Sequence, residues 1–99
     1  MERERDIERW LRCRIRRMGG RFMKFVSPGE DGVPDRIAVM PGGRVWFVEL
    51  KTDNGRLTSI QAWQIEQLRG MGARVAVVRG MVGARIFIDQ LLRDAQRGG

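Results

Sequence analysis

The sequence predicts an α/β fold in which helices cover both faces of a small sheet. Residues 3–18 carry apolar side chains at steps of three and four, which is typical of a helix with one buried stripe. Residues 35–40 and 44–51 have apolar side chains on both strand faces, as strands do when layers cover them on two sides. A further helix, strand and helix follow after residue 58. Alternation of this kind indicates layers of helix and sheet.

Local signals give each element in turn. Gly19-Gly20 ends the first helix, since glycine commonly follows a last helical turn. Thr58 and Gln61 have the spacing of a capping box at the start of the second helix. The predicted order is α-β-β-β-α-β-α: helix 3–18, strands 22–26, 35–40 and 44–51, helix 59–69, strand 73–78 and helix 81–96.

Length and composition indicate a single domain spanning residues 1–99. Hydrophobic residues make up 42% of the chain, which is ordinary for a globular protein. No apolar run approaches the roughly 20 residues that cross a bilayer. The first ten residues, MERERDIERW, lack the basic and apolar regions of a signal peptide. We therefore expect a cytoplasmic protein with no membrane partner.

The residue types limit the possible chemistry. The chain has no histidine and only Cys13, which excludes an internal disulfide, a structural zinc site and imidazole catalysis. The formal charge of +7 suits a polyanionic partner such as a nucleic acid. A merely basic protein without such a partner is the alternative. Any catalysis must use carboxylates, lysine, arginine or hydroxyl groups.

The predicted hairpin brings charged residues together. If its loop is the three residues 41–43, Met40 pairs with Arg44 and Asp35 lies opposite Glu49. Opposed side chains have Cβ atoms roughly 4.5–5.5 Å apart, and Lys51 projects from the same face as Glu49. A two-residue loop would instead put the two acids on opposite faces. The site therefore depends on the register of the hairpin.

This trio suits metal-assisted phosphate chemistry. Two carboxylates hold Mg²⁺, which takes one or two of them together with waters and phosphate oxygens. A neighbouring lysine can orient a water molecule or stabilise developing charge. An acid and a lysine two apart are more often a polar pair on a solvated face. Here the apolar neighbours Phe47, Val48 and Leu50 indicate a buried strand, in which charged residues are seldom idle.

These motifs resemble a known nuclease family. The runs GVPD (32–35) and VELK (48–51), separated by a glycine turn, resemble the PD-(D/E)XK nuclease superfamily and, more narrowly, its VRR-NUC domain. The resemblance extends to Gly19-Gly20, to KFVSPG (24–29) and to LTSIQ (57–61). It implies a restriction-endonuclease-like core with a mixed central sheet, flanking helices and an added C-terminal helix.

The resemblance also implies roles. Asp35 and Glu49 would bind Mg²⁺ or Mn²⁺, with the backbone carbonyl of Leu50 as a third ligand, and Lys51 would be the catalytic lysine. Gln61 matches the glutamine near such sites, although the capping box explains it equally well.

An acid on the first helix usually completes such sites. Glu8 fits best by its spacing to Gly19-Gly20, and Glu4, one turn away, is the alternative. Pairing of Glu8 with Arg12 on the helix surface would account for Glu8 without any catalytic role.

DNA contacts are expected from basic residues outside the site. Lys24 lies in a strand beside the hairpin and is a candidate phosphate ligand, with a solvent-facing edge lysine as the alternative. Arg9, Arg12 and Arg16 form a series on the first helix that could follow a phosphate backbone, with a solvated helix face as the equal alternative.

The sequence thus predicts a Mg²⁺-dependent deoxyribonuclease. The family resemblance implies an endonuclease specific for branched DNA, a Holliday junction or flap, that acts as a homodimer. The alternative is a non-catalytic or sequence-specific DNA-binding module on the same fold.

Overall fold

The computed structural model describes residues 3–97 and has the predicted order of elements. Most boundaries lie within one or two residues of the predicted ones. In this part of the chain no helix combines the length and apolar character needed to span a bilayer. The elements are α1 Glu4–Arg17, β1 Arg21–Lys24, β2 Arg36–Met40, β3 Arg44–Lys51, α2 Ser59–Gly70, β4 Arg74–Arg79 and α3 Gly80–Arg97.

The first strand differs most from its prediction. It ends at Lys24 and not at residue 26. Phe25 nevertheless donates its backbone N–H to the carbonyl of Asp35 at 2.9 Å. The chain therefore stays beside β2 for one more residue before the glycine- and proline-rich loop carries it away.

The four strands form one mixed sheet in the order β1-β2-β3-β4. β1, β2 and β3 pair antiparallel, whereas β3 and β4 are parallel. A parallel pair needs a long crossover, which α2 supplies. The carboxyl ends of β3 and β4 consequently lie side by side, with Lys51 next to Arg79.

The main core lies between the sheet and the layer formed by α1 and α3. The predicted stripe of α1 is confirmed at Ile7, Leu11 and Ile15, which have no exposed surface. The other face is covered by α2, which contacts β4. Main-core side chains outside α1 come from the sheet and α3: Phe22, Ala38, Met40, Val48, Leu50, Ala76, Val78, Ala84, Phe87 and Leu91.

The hairpin has the three-residue loop on which the site depends. Met40 pairs with Arg44, and the ladder continues to Arg36 opposite Val48. Gly42 and Gly43 have φ values of +87° and +81°, a conformation that glycine adopts without strain. One step beyond the last pair, this register sets position 35 against position 49.

Candidate active site

The site lies where β3 reaches its carboxyl end. Glu49 and Lys51 leave one face of this strand, while Leu50 between them points into the main core and is 1% exposed. Only 5% of Glu49 is exposed, so its carboxylate is nearly enclosed by protein. The Nζ atom of Lys51 lies 3.8 Å from Oε2 of Glu49. An acid and its cationic partner are thus held at a buried strand end.

Asp35 approaches the same site from the residue just before β2. Its carboxylate is more exposed than that of Glu49, and its Oδ1 atom lies 3.1 Å from Nη1 of Arg36. The negative charge of Asp35 raises the pKa of Glu49. Burial is the larger cause of this raised pKa, and the charge of Asp35 adds to it.

The surroundings of Glu49 raise the pKa of its carboxylate. Burial contributes most to the rise of its pKa, followed by the charge of Asp35, and Glu4 acts in the same direction. Lys51 and Arg36 oppose this shift without cancelling it. Burial and repulsion both disfavour the ionised carboxylate. A cation placed beside Glu49 would therefore stabilise the ionised form and lower the pKa.

The side chain of Gln61 forms hydrogen bonds both to the N-cap of α2 and to Glu49 in the site. Its Nε2 atom donates to Oε2 of Glu49 at 3.4 Å, while its Oε1 atom accepts from the backbone N–H of Thr58 at 3.0 Å. The Thr58 hydroxyl in turn accepts from the N–H of Gln61 at 3.2 Å. The capping box is confirmed, and the same side chain reaches the buried carboxylate.

Arg36 is a site residue that the sequence analysis missed. It lies on the core face of β2 together with Ala38 and Met40 and is 9% exposed. Its Nη1 atom also donates to the Asp35 carbonyl at 3.2 Å. Its buried Nε atom has no hydrogen-bond partner among residues 3–97. An arginine in register with core positions was the available signal, because a buried guanidinium requires a nearby anion.

The first helix carries both acids considered for the site, Glu8 and Glu4. Glu8 forms an ion pair with Arg12, whose Nε donates to Oε1 at 3.1 Å. Glu8 and Arg12, predicted as a site acid and a DNA contact, are therefore partners of each other. Glu4, the alternative acid, is the one whose charge contributes to the pKa of Glu49.

The remaining basic candidates lie apart from the carboxylates. Lys24 pairs with Arg36 in the ladder between β1 and β2, so it leaves the sheet on the face opposite Glu49 and Lys51. Arg9 and Arg16 are exposed on α1. The structure does not bring these three side chains to the face that bears Lys51.

The oxygen atoms of Asp35 and Glu49 are the candidate ligands for a divalent ion. Across residues 3–97, no three His, Cys, Asp or Glu side chains are grouped closely enough to hold a metal. Mg²⁺ needs no such cluster, because it keeps several waters and binds through one or two carboxylates. Asp35 and Glu49 supply that number of carboxylates. Their hard oxygen atoms and the unrelieved charge of Glu49 fit an ion of this kind.

The mixed sheet, its helical layers and the acids and lysine at the strand ends define the class of PD-(D/E)XK nuclease folds. The model of the VRR-NUC domain matches residues 2–82, and this range contains every candidate site residue. The chain belongs to the VRR-NUC family of nuclease domains.

Two relatives illustrate this membership. A provisionally named nuclease, p44 of Acyrthosiphon pisum secondary endosymbiont phage 1, is 41% identical over 76 residues, which cover 77% of this chain and 82% of p44. A solved structure described as a VRR-NUC domain superposes with a TM-score of 0.81 at 30% identity, covering 87% of this chain and 94% of that one. The similarity therefore includes both sequence and fold.

Proposed function

We propose that this protein is a divalent-metal-dependent endonuclease that hydrolyses phosphodiester bonds in DNA in the cytoplasm. The observation that carries the proposal is the buried carboxylate of Glu49, flanked by the charges of Asp35 and Lys51. A buried acid is unfavourable unless it is paired or binds a cation. Membership of the VRR-NUC family supports the same function.

In this proposal Asp35, Glu49 and the backbone carbonyl of Leu50 hold Mg²⁺ or Mn²⁺. Such an ion offsets charge on the phosphate and makes a water molecule easier to deprotonate. Lys51 places its ammonium group where it orients the attacking water or stabilises the charge that develops on the phosphate. Gln61 steadies the Glu49 carboxylate through its Nε2 contact.

Glu4 is the better candidate for the acid from α1. Its charge contributes to the raised pKa of Glu49, whereas Glu8 is engaged by Arg12. We therefore assign the supporting role at the site to Glu4 and a helix-surface role to Glu8. This assignment chooses between the two alternatives that the sequence left open.

We further propose that the substrate is branched DNA, a Holliday junction or flap, and that the enzyme is a homodimer. One chain supplies one site, and symmetric cutting of two strands needs two sites. Val82, Ile86 and Leu92 of α3 are exposed apolar side chains suited to an interface. Arg9, Arg16 and Lys24 are the proposed contacts with the DNA backbone.

The test compares labelled linear duplex, flap and four-way junction in Mg²⁺ and in EDTA. We expect Mg²⁺-dependent cleavage, preferentially of the branched DNAs, and a loss of kcat of at least about a hundredfold in Lys51→Ala. Lys24→Ala is the matched control, because it removes the same charge from the opposite sheet face; it should change KM more than kcat. Binding without metal-dependent cleavage would contradict the proposal and indicate a DNA-binding module.

The role of Glu4 is tested in the same assay. Glu4→Gln should weaken Mn²⁺ binding and lower kcat. Glu8→Gln should keep both and change stability only slightly, because an ion pair on a helix surface contributes little. Calorimetric titration with Mn²⁺ measures the first effect without cleavage. If Glu8→Gln lowered Mn²⁺ binding and kcat more than Glu4→Gln, Glu8 and not Glu4 would be the site acid on α1.

A further inference from the structure

The β3–α2 loop, residues 52–58, lies between Lys51 and the junction of β4 with α3. In the parallel ladder Lys51 is paired with Arg79, so their side chains leave the same sheet face on neighbouring strands. Three contacts fasten the loop in this position. They involve Gly55, Arg79 and Gly80, to which neither the motifs nor the family resemblance gave a role.

The first contact joins Gly55 to the aliphatic stem of Lys51. A Cβ atom at Gly55 would lie 3.1 Å from the Cβ atom and 3.3 Å from the Cδ atom of Lys51. Such distances are tighter than ordinary van der Waals contact, so a side chain at position 55 would push the loop and the lysine apart. The glycine backbone therefore covers the stem closely, while Nζ remains directed at Glu49.

The second contact is a hydrogen bond. Arg79 donates from Nε to the carbonyl of Gly55 at 3.2 Å. Because Arg79 is the last residue of β4, its backbone is fixed by the ladder with β3. The guanidinium thus ties the loop to the sheet on the side nearest Lys51.

The third contact holds the other end of the turn. A Cβ atom at Gly80 would lie only 1.7 Å from Oδ1 of Asp53, and Gly80 has a φ of +61°. The positive φ is a backbone conformation that glycine adopts without strain, and the missing side chain leaves room for the Asp53 carboxylate. The Asp53 carboxylate therefore lies directly on the first residue of α3, where the helix dipole favours a negative charge.

We propose that Arg79, Gly55 and Gly80 are positioning residues that clamp the β3–α2 loop over Lys51 and so hold its ammonium beside Glu49. This inference rests on the proposed nuclease function. Arg79 acts through Gly55, whose carbonyl accepts the hydrogen bond from its Nε atom. Misplacement of a reacting group by about 1 Å can lower a rate by roughly a hundredfold, so this clamp matters for kcat.

Two substitutions test the clamp by independent routes. Arg79→Ala removes the hydrogen bond, and Gly55→Ala displaces the loop while leaving every charge in place. Both should lower kcat by roughly ten- to a hundredfold and leave KM and the DNA dissociation constant in EDTA within about twofold. Arg56→Ala removes a charge from the same loop, and Gly29→Ala adds a methyl group to open space; these matched controls should keep kcat.

A double-variant comparison separates positioning from a general structural effect. Because the clamp acts through Lys51, Arg79→Ala should cause no further loss in a Lys51→Ala background. Additive losses would overturn the proposal. So would a weaker DNA affinity and a smaller salt slope with unchanged kcat in Arg79→Ala, since that combination indicates direct phosphate contact.

Amide hydrogen exchange provides a measurement that needs no cleavage. Residues 52–58 should exchange at least about tenfold faster in Arg79→Ala than in the wild type, while β3 and β4 keep their protection. Unchanged exchange in the loop would refute the clamp even in an active nuclease. Faster loop exchange in a protein that never cleaves DNA would refute the proposed function and leave the clamp itself intact.

Discussion

At the scale of single residues, the surroundings of Glu49 disfavour the ionised form of its carboxylate. Its carboxylate is enclosed, and its pKa is raised by burial and then by Asp35. Lys51, at 3.8 Å, compensates for only part of this. An ionised carboxylate at this buried position destabilises the folded state. A purely structural role would favour an apolar side chain here, so a retained acid is typical of a functional position.

The raised pKa of Glu49 predicts a specific dependence of stability on pH. Below its ordinary value of 4.5, Glu49 binds a proton in both the folded and unfolded states and adds no penalty. As pH rises through the interval up to the raised folded value, the unfolded state releases its proton first and the folded state becomes less stable. Above that interval the penalty is constant.

Glu49→Gln should therefore gain stability relative to the metal-free wild type as pH rises. Urea unfolding in EDTA at pH 4 and pH 8 measures the difference, with the exposed Glu66→Gln as control. Mg²⁺ at a hundredfold its dissociation constant should add about 2.7 kcal/mol to the wild type and far less to Glu49→Gln. A stability difference that is the same at both pH values would contradict this prediction.

At the scale of elements, the start of α2 links helix formation to the site. The capping box uses one end of the Gln61 amide, and the other end reaches Glu49. The helix start therefore fixes the direction of a side chain that touches the buried carboxylate. Fraying of this first turn would release Gln61 from both contacts.

Thr58→Ala should destabilise the protein by about 1 kcal/mol, because the backbone N–H of Gln61 loses its acceptor. Thermal unfolding followed by circular dichroism measures the change. Thr58→Ser keeps the hydroxyl and should remain within about 0.5 kcal/mol of the wild type. Equal losses in the two variants would show that the methyl group, and not the cap, stabilises this turn.

At the scale of the whole molecule, Asp94 fastens α3 to the end of the sheet remote from the active site. Its Oδ2 atom accepts from Nε1 of Trp46 at 3.0 Å and lies 2.8 Å from Nε of Arg74 and 3.8 Å from Nε of Arg44. The VRR-NUC match ends at residue 82, so most of α3 lies beyond it. This helix nevertheless supplies Phe87 to the main core.

Asp94→Ala should destabilise the protein by about 2–3 kcal/mol, because the Trp46 indole N–H loses its charged acceptor and Arg74 and Arg44 lose the ion-pair partner that they share. Urea unfolding with Trp fluorescence measures the loss. Asp89→Ala, an exposed acid on the same helix, is the control and should change stability by no more than about 0.5 kcal/mol. A loss of similar size in the control would indicate that net charge, and not the Asp94 contacts, explains the effect.

Most of the fold could be predicted from local pattern, and so could the central residues of the candidate site. The stripe of α1, the glycine loop of the hairpin and the cap at Thr58 each depend on residues close in sequence, so spacing alone identifies them. The hairpin register followed from loop length, and it set Asp35 against Glu49. These features need no knowledge of how distant segments pack.

The other parts depend on contacts between distant segments. Spacing could not decide between Glu4 and Glu8, because the choice depends on how α1 lies against the sheet. The alternation of β2 sets Arg36 in register with core positions, but the sequence does not show which groups its guanidinium meets. Nor does a linear pattern reveal the hydrogen bond from Arg79 to Gly55 in the β3–α2 loop. The sequence by itself determined the elements, the hairpin and the trio of Asp35, Glu49 and Lys51. Tertiary packing decided which other charges surround them, since electrostatic contacts depend on distance in space and not along the chain.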